Sequence, residues 1–208
     1  MSHRAYIKIE NLSVSFEDKR IIENLTAELP KGQSTVIMGA SGIGKTTLLK
    51  ALMGLVDIES GSIEGIENMR ISAVFQEDRL VPSKSAVENI SLCMRRNERG
   101  IRLISQRERL SERKKILAEL ERLGIDEHKA SQPVSELSGG MRRRVSLLRA
   151  LMSEYDIILM DEPFTGLDDD TKIMVMEYTK AAISGKTAVI VTHSRTEAEY
   201  FSDNFLTI

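Results

Sequence analysis

Hydrophobic and polar positions along this chain follow two alternating periods. Between Ala5 and Phe16 the apolar residues fall at Ile7 and Ile9, then Leu12, Val14 and Phe16, the spacing of half-exposed antiparallel strands. Four later runs are apolar save for Thr35 and Ser72: Thr35–Met38, Ile71–Phe75, Ile157–Met160 and Ala188–Val191. Such short continuous runs predict strands covered on both faces, as in a mainly parallel sheet. Lys45 to Met53 reads as a helix just after the first run. From about Glu77 to Leu151 the pattern turns helical. Leu110, Ile116, Leu117, Leu120 and Leu123 are expected on one face of a helix over Arg107–Leu123, closed by Gly124. A second helix, Arg142 to Met152, carries Val145, Leu148 and Met152 at core spacing. The expectation is a single α/β domain over 1–208: a core from 1–76 and 152–208, with a helical subdomain inserted over 77–151. There is no internal repeat or low-complexity linker.

Composition narrows the class. A chain of 208 residues suits one sizeable domain, or a core with a lobe. Its 29 Lys and Arg against 31 Asp and Glu leave a formal net charge of −2, which provides no overall basic field for nucleic acid. A lone cysteine, Cys93, excludes an internal disulfide framework and fits a reducing compartment. Between Leu92 and Met94 it reads as a small packing hydrophobe. No apolar run follows Met1-Ser2-His3-Arg4, so no signal peptide is expected. No stretch of about 18 apolar residues exists to span a bilayer. A cytoplasmic chain, or one peripheral on the cytoplasmic side of a membrane, is expected.

The chemistry starts immediately after the first buried run. Gly39-Ala40-Ser41-Gly42-Ile43-Gly44-Lys45-Thr46 fits the phosphate-loop pattern G-x-x-x-x-G-K-[ST]. Small residues let backbone N–H groups wrap an anion, and the helix opening at Lys45 adds its dipole. Lys45 is suited to the β- and γ-phosphates and the Thr46 hydroxyl to Mg²⁺. The run Ile157–Met160 then ends in Asp161 and Glu162, two carboxylates at a sheet edge. Alone they could be an acidic helix start before Pro163. Beside a phosphate loop, Asp161 suits the Mg²⁺ shell and Glu162 suits the attacking water. Leu137-Ser138-Gly139-Gly140-Met141 precedes the helix at Arg142, with Ser138 a good N-cap. Alone it is a capped helix after a loop.

Together these elements match the phosphate loop, acidic pair and signature of ATP-binding cassette proteins, and the chain resembles the ATPase subunit of an ABC transporter. That resemblance implies a P-loop NTPase fold with an N-terminal antiparallel β subdomain and an inserted helical signature subdomain. It implies ATP and Mg²⁺ as cofactors. The nucleotide is expected on Gly39, Ala40, Ser41, Gly42, Ile43, Gly44, Lys45, Thr46 and Thr47, and Mg²⁺ on Thr46, Gln76 and Asp161. Gln76 resembles the glutamine-loop residue that touches metal and water, and His193 the switch histidine on the γ-phosphate. Phe16 resembles the aromatic that stacks on adenine. Thr165-Gly166-Leu167-Asp168 resembles the stretch that passes between two cassettes. Catalysis would rest on Glu162, His193, Lys45 and Gln76. Ser138, Gly139 and Gly140 would close over the ATP of a second copy in a head-to-tail dimer, while the helical subdomain drives a membrane permease.

Met141 stands where glutamine is commonest in the family. With Leu80-Val81-Pro82 and Val87-Glu88-Asn89-Ile90 it resembles the importers of nitrate, sulfonates and taurine. A solute-binding protein would then be a further partner. Export and lipoprotein-release cassettes share parts of this pattern and remain the alternative. Chromosome-maintenance cassettes place a very long coiled coil between phosphate loop and signature, and the interval from Lys45 to Ser138 has no room for one. A guanine-reading N-K-x-D segment is absent. Lys45, Asp161, Glu162 and His193 are all present, against a non-catalytic cassette. The basic stretch Arg95–Lys115 is either a solvated face or a contact for anionic lipid or acidic permease loops.

Overall fold

A computed structural model describes residues 6–16, 19–94, 96–97, 100–101 and 104–208. The chain runs through β1 (Tyr6–Phe16), β2 (Lys19–Pro30), β3 (Ser34–Met38), α1 (Lys45–Leu52), β4 (Ser60–Glu64), β5 (Ile71–Val74) and α2 (Ala86–Met94). It continues through the short pair β6 (Arg96–Asn97) and β7 (Gly100–Ile101), then α3 (Gln106–Arg122), α4 (Glu127–Ser131) and α5 (Gly139–Met152). β8 (Ile157–Asp161), α6 (Asp169–Ala182), β9 (Thr187–Val191), α7 (Arg195–Phe201) and β10 (Asn204–Thr207) complete it. Two units emerge: Met1–Ala73 with Tyr155–Pro163 and Ile183–Ile208, and Val74–Glu154 with Phe164–Ala182. Among the described residues, no helix is long and apolar enough to cross a membrane.

The first unit contains both larger sheets. β1 pairs antiparallel with β2 and β4. Its inward residues are Ile7, Ile9, Leu12 and Val14, all fully buried. The step from Ile9 to Leu12 breaks strict alternation because Asn11 bulges at φ 48°, and both pairings shift register nearby. Opposite the bulge a Cβ on Gly61 would lie 2.3 Å from the Glu10 carbonyl oxygen, so only glycine fits there. Ala5, the expected start of the run, lies outside the described residues.

The second sheet is ordered β10-β3-β9-β8-β5, with β10–β3, β3–β9 and β9–β8 parallel. Every residue of β8 and β9 is buried, as expected for central strands with both faces covered. Leu48, Leu49 and Leu52 of α1 share one core with Ile7, Ile9, Ile157, Leu159 and Val189. Burying one such leucine stabilises the fold by roughly 2–3 kcal/mol, so this core anchors the helix that opens at Lys45.

The second unit is helical. Ser105 caps α3 in a reciprocal capping box with Glu108. Gly124, at φ 70°, follows the helix as expected from the sequence. Ile116, Leu120 and Leu123 are buried, but Leu110 is 57% exposed, contrary to the expected common face. Six residues of helix rotate by about 240° from Leu110 to Ile116, which carries Leu110 off the buried stripe. α5 begins at Gly139, three residues before the expected Arg142, because both signature glycines form its first turn. Asn89 on α2 is buried and secures the preceding loop: its Oδ1 accepts from Val81 N–H at 2.8 Å and its Nδ2 donates to Val81 O at 3.2 Å.

Candidate active site

Strands β3, β9 and β8 end level with one another, Ile37 opposite Val191 and Val191 opposite Asp161. The chain therefore leaves all three at one carboxyl edge, which delivers the following residues together. After β3 comes the loop 39–44, where Gly42 and Gly44 take φ 80° and 109°. A Cβ on Gly44 would lie 3.0 Å from both the Ile21 carbonyl oxygen and the Ile22 side chain. Backbone angle and space both demand glycine. Ala40, Ser41, Gly42 and Ile43 are exposed along the loop.

Lys45 is only 8% exposed, and its Nζ donates to the carbonyls of Gly39 and Ala40, each at 2.8 Å. Those bonds fold the start of the loop back onto its end. Gly44, the N-cap of α1, makes no side-chain capping bond, so the helix's first N–H groups have no side-chain cap. Amide donors, helix dipole and the lysine together suit this loop to an anion.

Thr46 Oγ1 donates to Asp161 Oδ2 at 2.7 Å, joining α1 to β8. Thr47, half-buried, shares the same helical turn. Glu162 has φ 49°, and its N–H donates to Val191 O at 2.9 Å. For a non-glycine residue that conformation costs about 1–2 kcal/mol and persists because the surroundings hold it. Its carboxylate Oε2 lies 2.7 Å from His193 Nδ1, with Glu162 17% and His193 73% exposed.

The turn carrying His193 is set by residues that the sequence did not mark. Thr192, fully buried, donates from Oγ1 to Glu197 Oε2 at 2.5 Å and accepts from Ser194 N–H at 3.0 Å. Ser194 caps α7. The Ser194-x-x-Glu197 spacing carried a capping-box signal, yet Glu197 turns to Thr192.

The remaining candidates, Phe16 apart, lie in the second unit. Ser138 caps α5, its Oγ accepting from Met141 N–H at 3.2 Å. A Cβ on Gly139 would meet only Arg142, at 3.9 Å, and one on Gly140 would make ordinary contacts with Gly166 and Leu167. Internal packing therefore requires neither glycine. Asp168 Oδ1 accepts from Thr171 N–H at 3.0 Å, and that bond holds its carboxyl below the usual range. Gln76 is exposed, just beyond β5. Phe16 ends β1 opposite Lys19, and its side chain lies outside the described residues.

Arg107, Arg109, Lys114 and Lys115 of the basic stretch are exposed, while Arg113 pairs with Glu127 at 3.1 Å. Arg95, Arg99 and Arg102 lie outside the described residues, as does the side chain of Arg96.

The Thr46–Asp161 pair offers one hydroxyl and one carboxylate, hard oxygens suited to Mg²⁺. Among the described residues, no group of three or more His, Cys, Asp or Glu could hold a metal by itself. A cation here would take its remaining ligands from outside this pair, phosphate and water among them, as Mg²⁺ beside a nucleotide does.

Comparison with known proteins agrees with this geometry. The profile of the ABC transporter family matches residues 22–165. The taurine import ATP-binding protein TauB of Pseudomonas aeruginosa (strain UCBPP-PA14) is 36% identical over 212 residues, covering 95% of this chain and 76% of that protein. The Nod factor export ATP-binding protein I of Cupriavidus metallidurans is 35% identical over 215 residues, covering 98% and 68%. The aliphatic sulfonates import ATP-binding protein SsuB 1 of Paracoccus denitrificans is 34% identical over 213 residues, covering 99% and 81%. A solved dimeric ATP-binding cassette, bound to ADP and Pi after hydrolysis, superposes with a TM-score of 0.83 at 29% identity, covering 97% of this chain and 94% of that one. Since sequence and backbone agree over nearly the whole length, the chain belongs to the ABC transporter family, as an ATP-binding cassette that hydrolyses ATP.

Proposed function

We propose that this cassette energises import of a small organic anion, a sulfonate or a related solute, through a separate permease. The observation that carries the hydrolytic reading is the Glu162–His193 pair at 2.7 Å, one residue beyond the Thr46–Asp161 pair. The amides of residues 39–46 and the Lys45 ammonium hold the β- and γ-phosphates. Thr46, Asp161 and Gln76 would hold Mg²⁺, which supplies neutralisation of charge developing between the phosphates. Glu162 accepts a proton from the water attacking in line, a role worth roughly 10²–10⁴ in rate. His193, its Nδ1 2.7 Å from Glu162 Oε2, would donate to the γ-phosphate from an Nε2–H. Phe16 stacks on adenine.

The cassette works as a dimer. In the proposed head-to-tail arrangement, Ser138, Gly139 and Gly140 present the N-terminus of α5 to the partner's ATP, stabilising its γ-phosphate. The glycines' lack of an internal packing requirement supports this role. Asp168 lies on the stretch between the two cassettes, and the helical subdomain (77–151) passes the motion to the permease at the cytoplasmic side of the membrane. A solute-binding protein would deliver the cargo.

The import reading draws on relatives named for taurine and aliphatic sulfonates. A specific observation favours export as the second reading: a Nod factor export protein matches 98% of the chain at comparable identity. To separate them, tagged Glu162→Gln is loaded with ATP in detergent-solubilised membranes and its retained partners are identified. An import permease with a solute-binding protein supports the proposal. An export permease reverses the direction, and ribosomes or DNA without a permease refute the transporter reading.

A further inference from the structure

Residues 75–79 follow β5 outside any helix or strand, so their carbonyls need partners from elsewhere. One face of α5 supplies partners to four of the five. Arg143 Nη1 donates to Phe75 O at 2.5 Å and to Gln76 O at 3.3 Å. Ser146 Oγ donates to Asp78 O at 2.9 Å. Arg149 donates from Nη1 to Arg79 O at 2.7 Å and from Nη2 to Asp78 O at 3.0 Å. Residues 143, 146 and 149 recur at helical spacing, so all three aim at one strip of main chain.

The loop reciprocates. The Asp78 carboxylate approaches Arg143 Nη1 at 3.6 Å and Arg142 Nε at 3.9 Å. The Arg79 guanidinium sits 3.7 Å from the centre of the Phe75 ring, with Arg79 itself at φ 46°. Arg143 is only 4% exposed and Ser146 fully buried. Burying a cation is costly, and an apolar side chain would fill the space more cheaply. What an apolar side chain could not do is grip consecutive carbonyls.

We infer that Arg143, supported by Ser146 and Arg149, is a positioning residue that fastens the backbone bearing Gln76 to the helix capped by Ser138. Loop and helix then move as one body. Whatever engages the Ser138 end of α5 shifts Gln76 with it, so the signature and the glutamine loop of one cassette are mechanically coupled. The clamp grips Gln76 through its main-chain carbonyl, leaving the Gln76 side chain exposed for its own chemistry. This inference rests on the proposed role of Gln76 at the metal and water.

The test is a double-mutant cycle on ATP turnover by the purified chain, with melting temperature measured alongside. Gln76→Ala and Arg143→Met are each expected to lower kcat roughly 10- to 100-fold, the scale of a misplaced catalytic group. The KM for ATP is expected to change little. In the double variant the losses should not multiply, because Arg143 acts through Gln76. Should Arg143→Met fail to fold, Ser146→Ala runs the same cycle with a smaller loss of about threefold. Losses that multiply fully, or an Arg143→Met with unchanged kcat, overturn the inference while leaving Gln76 in place. Undiminished turnover by Gln76→Ala overturns the assignment of Gln76, and the clamp's role with it.

Discussion

Glu162 offers a test in which backbone and chemistry separate. Alanine and glycine at this position both remove the carboxylate and its 2.7 Å contact with His193. They differ in what they make of φ 49°. Alanine keeps the left-handed penalty of about 1–2 kcal/mol, which glycine escapes. Glycine gives back about 0.5–1 kcal/mol through the greater freedom of its unfolded chain. The difference leaves Glu162→Gly more stable than Glu162→Ala by about 0.5–1 kcal/mol, the reverse of the order at an ordinary residue. For a chain of this size that is a melting temperature about 1–4 °C higher, readable by circular dichroism or calorimetry. Both variants should lose turnover by roughly 10²–10⁴ in a phosphate-release assay, as expected on removal of a general base. An alanine variant as stable as the glycine one would refute the strained backbone. Turnover within a few-fold of the parent chain would refute the base.

Two further outcomes are expected. Gly44→Ala forces a Cβ to 3.0 Å from the Ile21 carbonyl at φ 109°; it should cost about 1–3 kcal/mol of stability and weaken ATP binding at least about tenfold, and normal affinity in a fluorescent-nucleotide titration would contradict the loop's role in anion binding. Asp156 is held below its ordinary pKa of 3.8, first by hydrogen bonds from the Arg70 side chain and then by the Arg70 N–H. A lowered folded pKa makes its contribution complete above the unfolded value and lost as pH falls through the folded one. The melting-temperature gap between parent and Asp156→Asn should therefore be widest near neutrality and close below about pH 4, and a gap unchanged in acid would sink the ion pair's role.

Several parts of this protein could be read from residues in order. Runs such as Ile157–Met160 and Ala188–Val191 announced β8 and β9 because strands covered on both faces leave no polar position to interrupt them. The phosphate loop was legible because its chemistry sits in consecutive residues and depends on glycine's missing side chain. The cap at Ser138 was equally local. β2 and β10 were not foreseen, since their polar, partly exposed positions carry little hydrophobic signal.

Long-range arrangement was the other half. Thr46 meets Asp161 only because α1 and β8 share a core. Nothing in a glutamate predicts a left-handed backbone; at Glu162 the bond to Val191 and the contact with His193 hold it there. Thr192 and Glu197 shape the His193 turn through a side-chain bond that only the folded loop brings about. Arg143, Ser146 and Arg149 read as polar positions on a helix, yet they grip the loop bearing Gln76. Periodicity assigns a residue to a face of its own element, whereas its partner across space depends on packing between segments far apart in the chain.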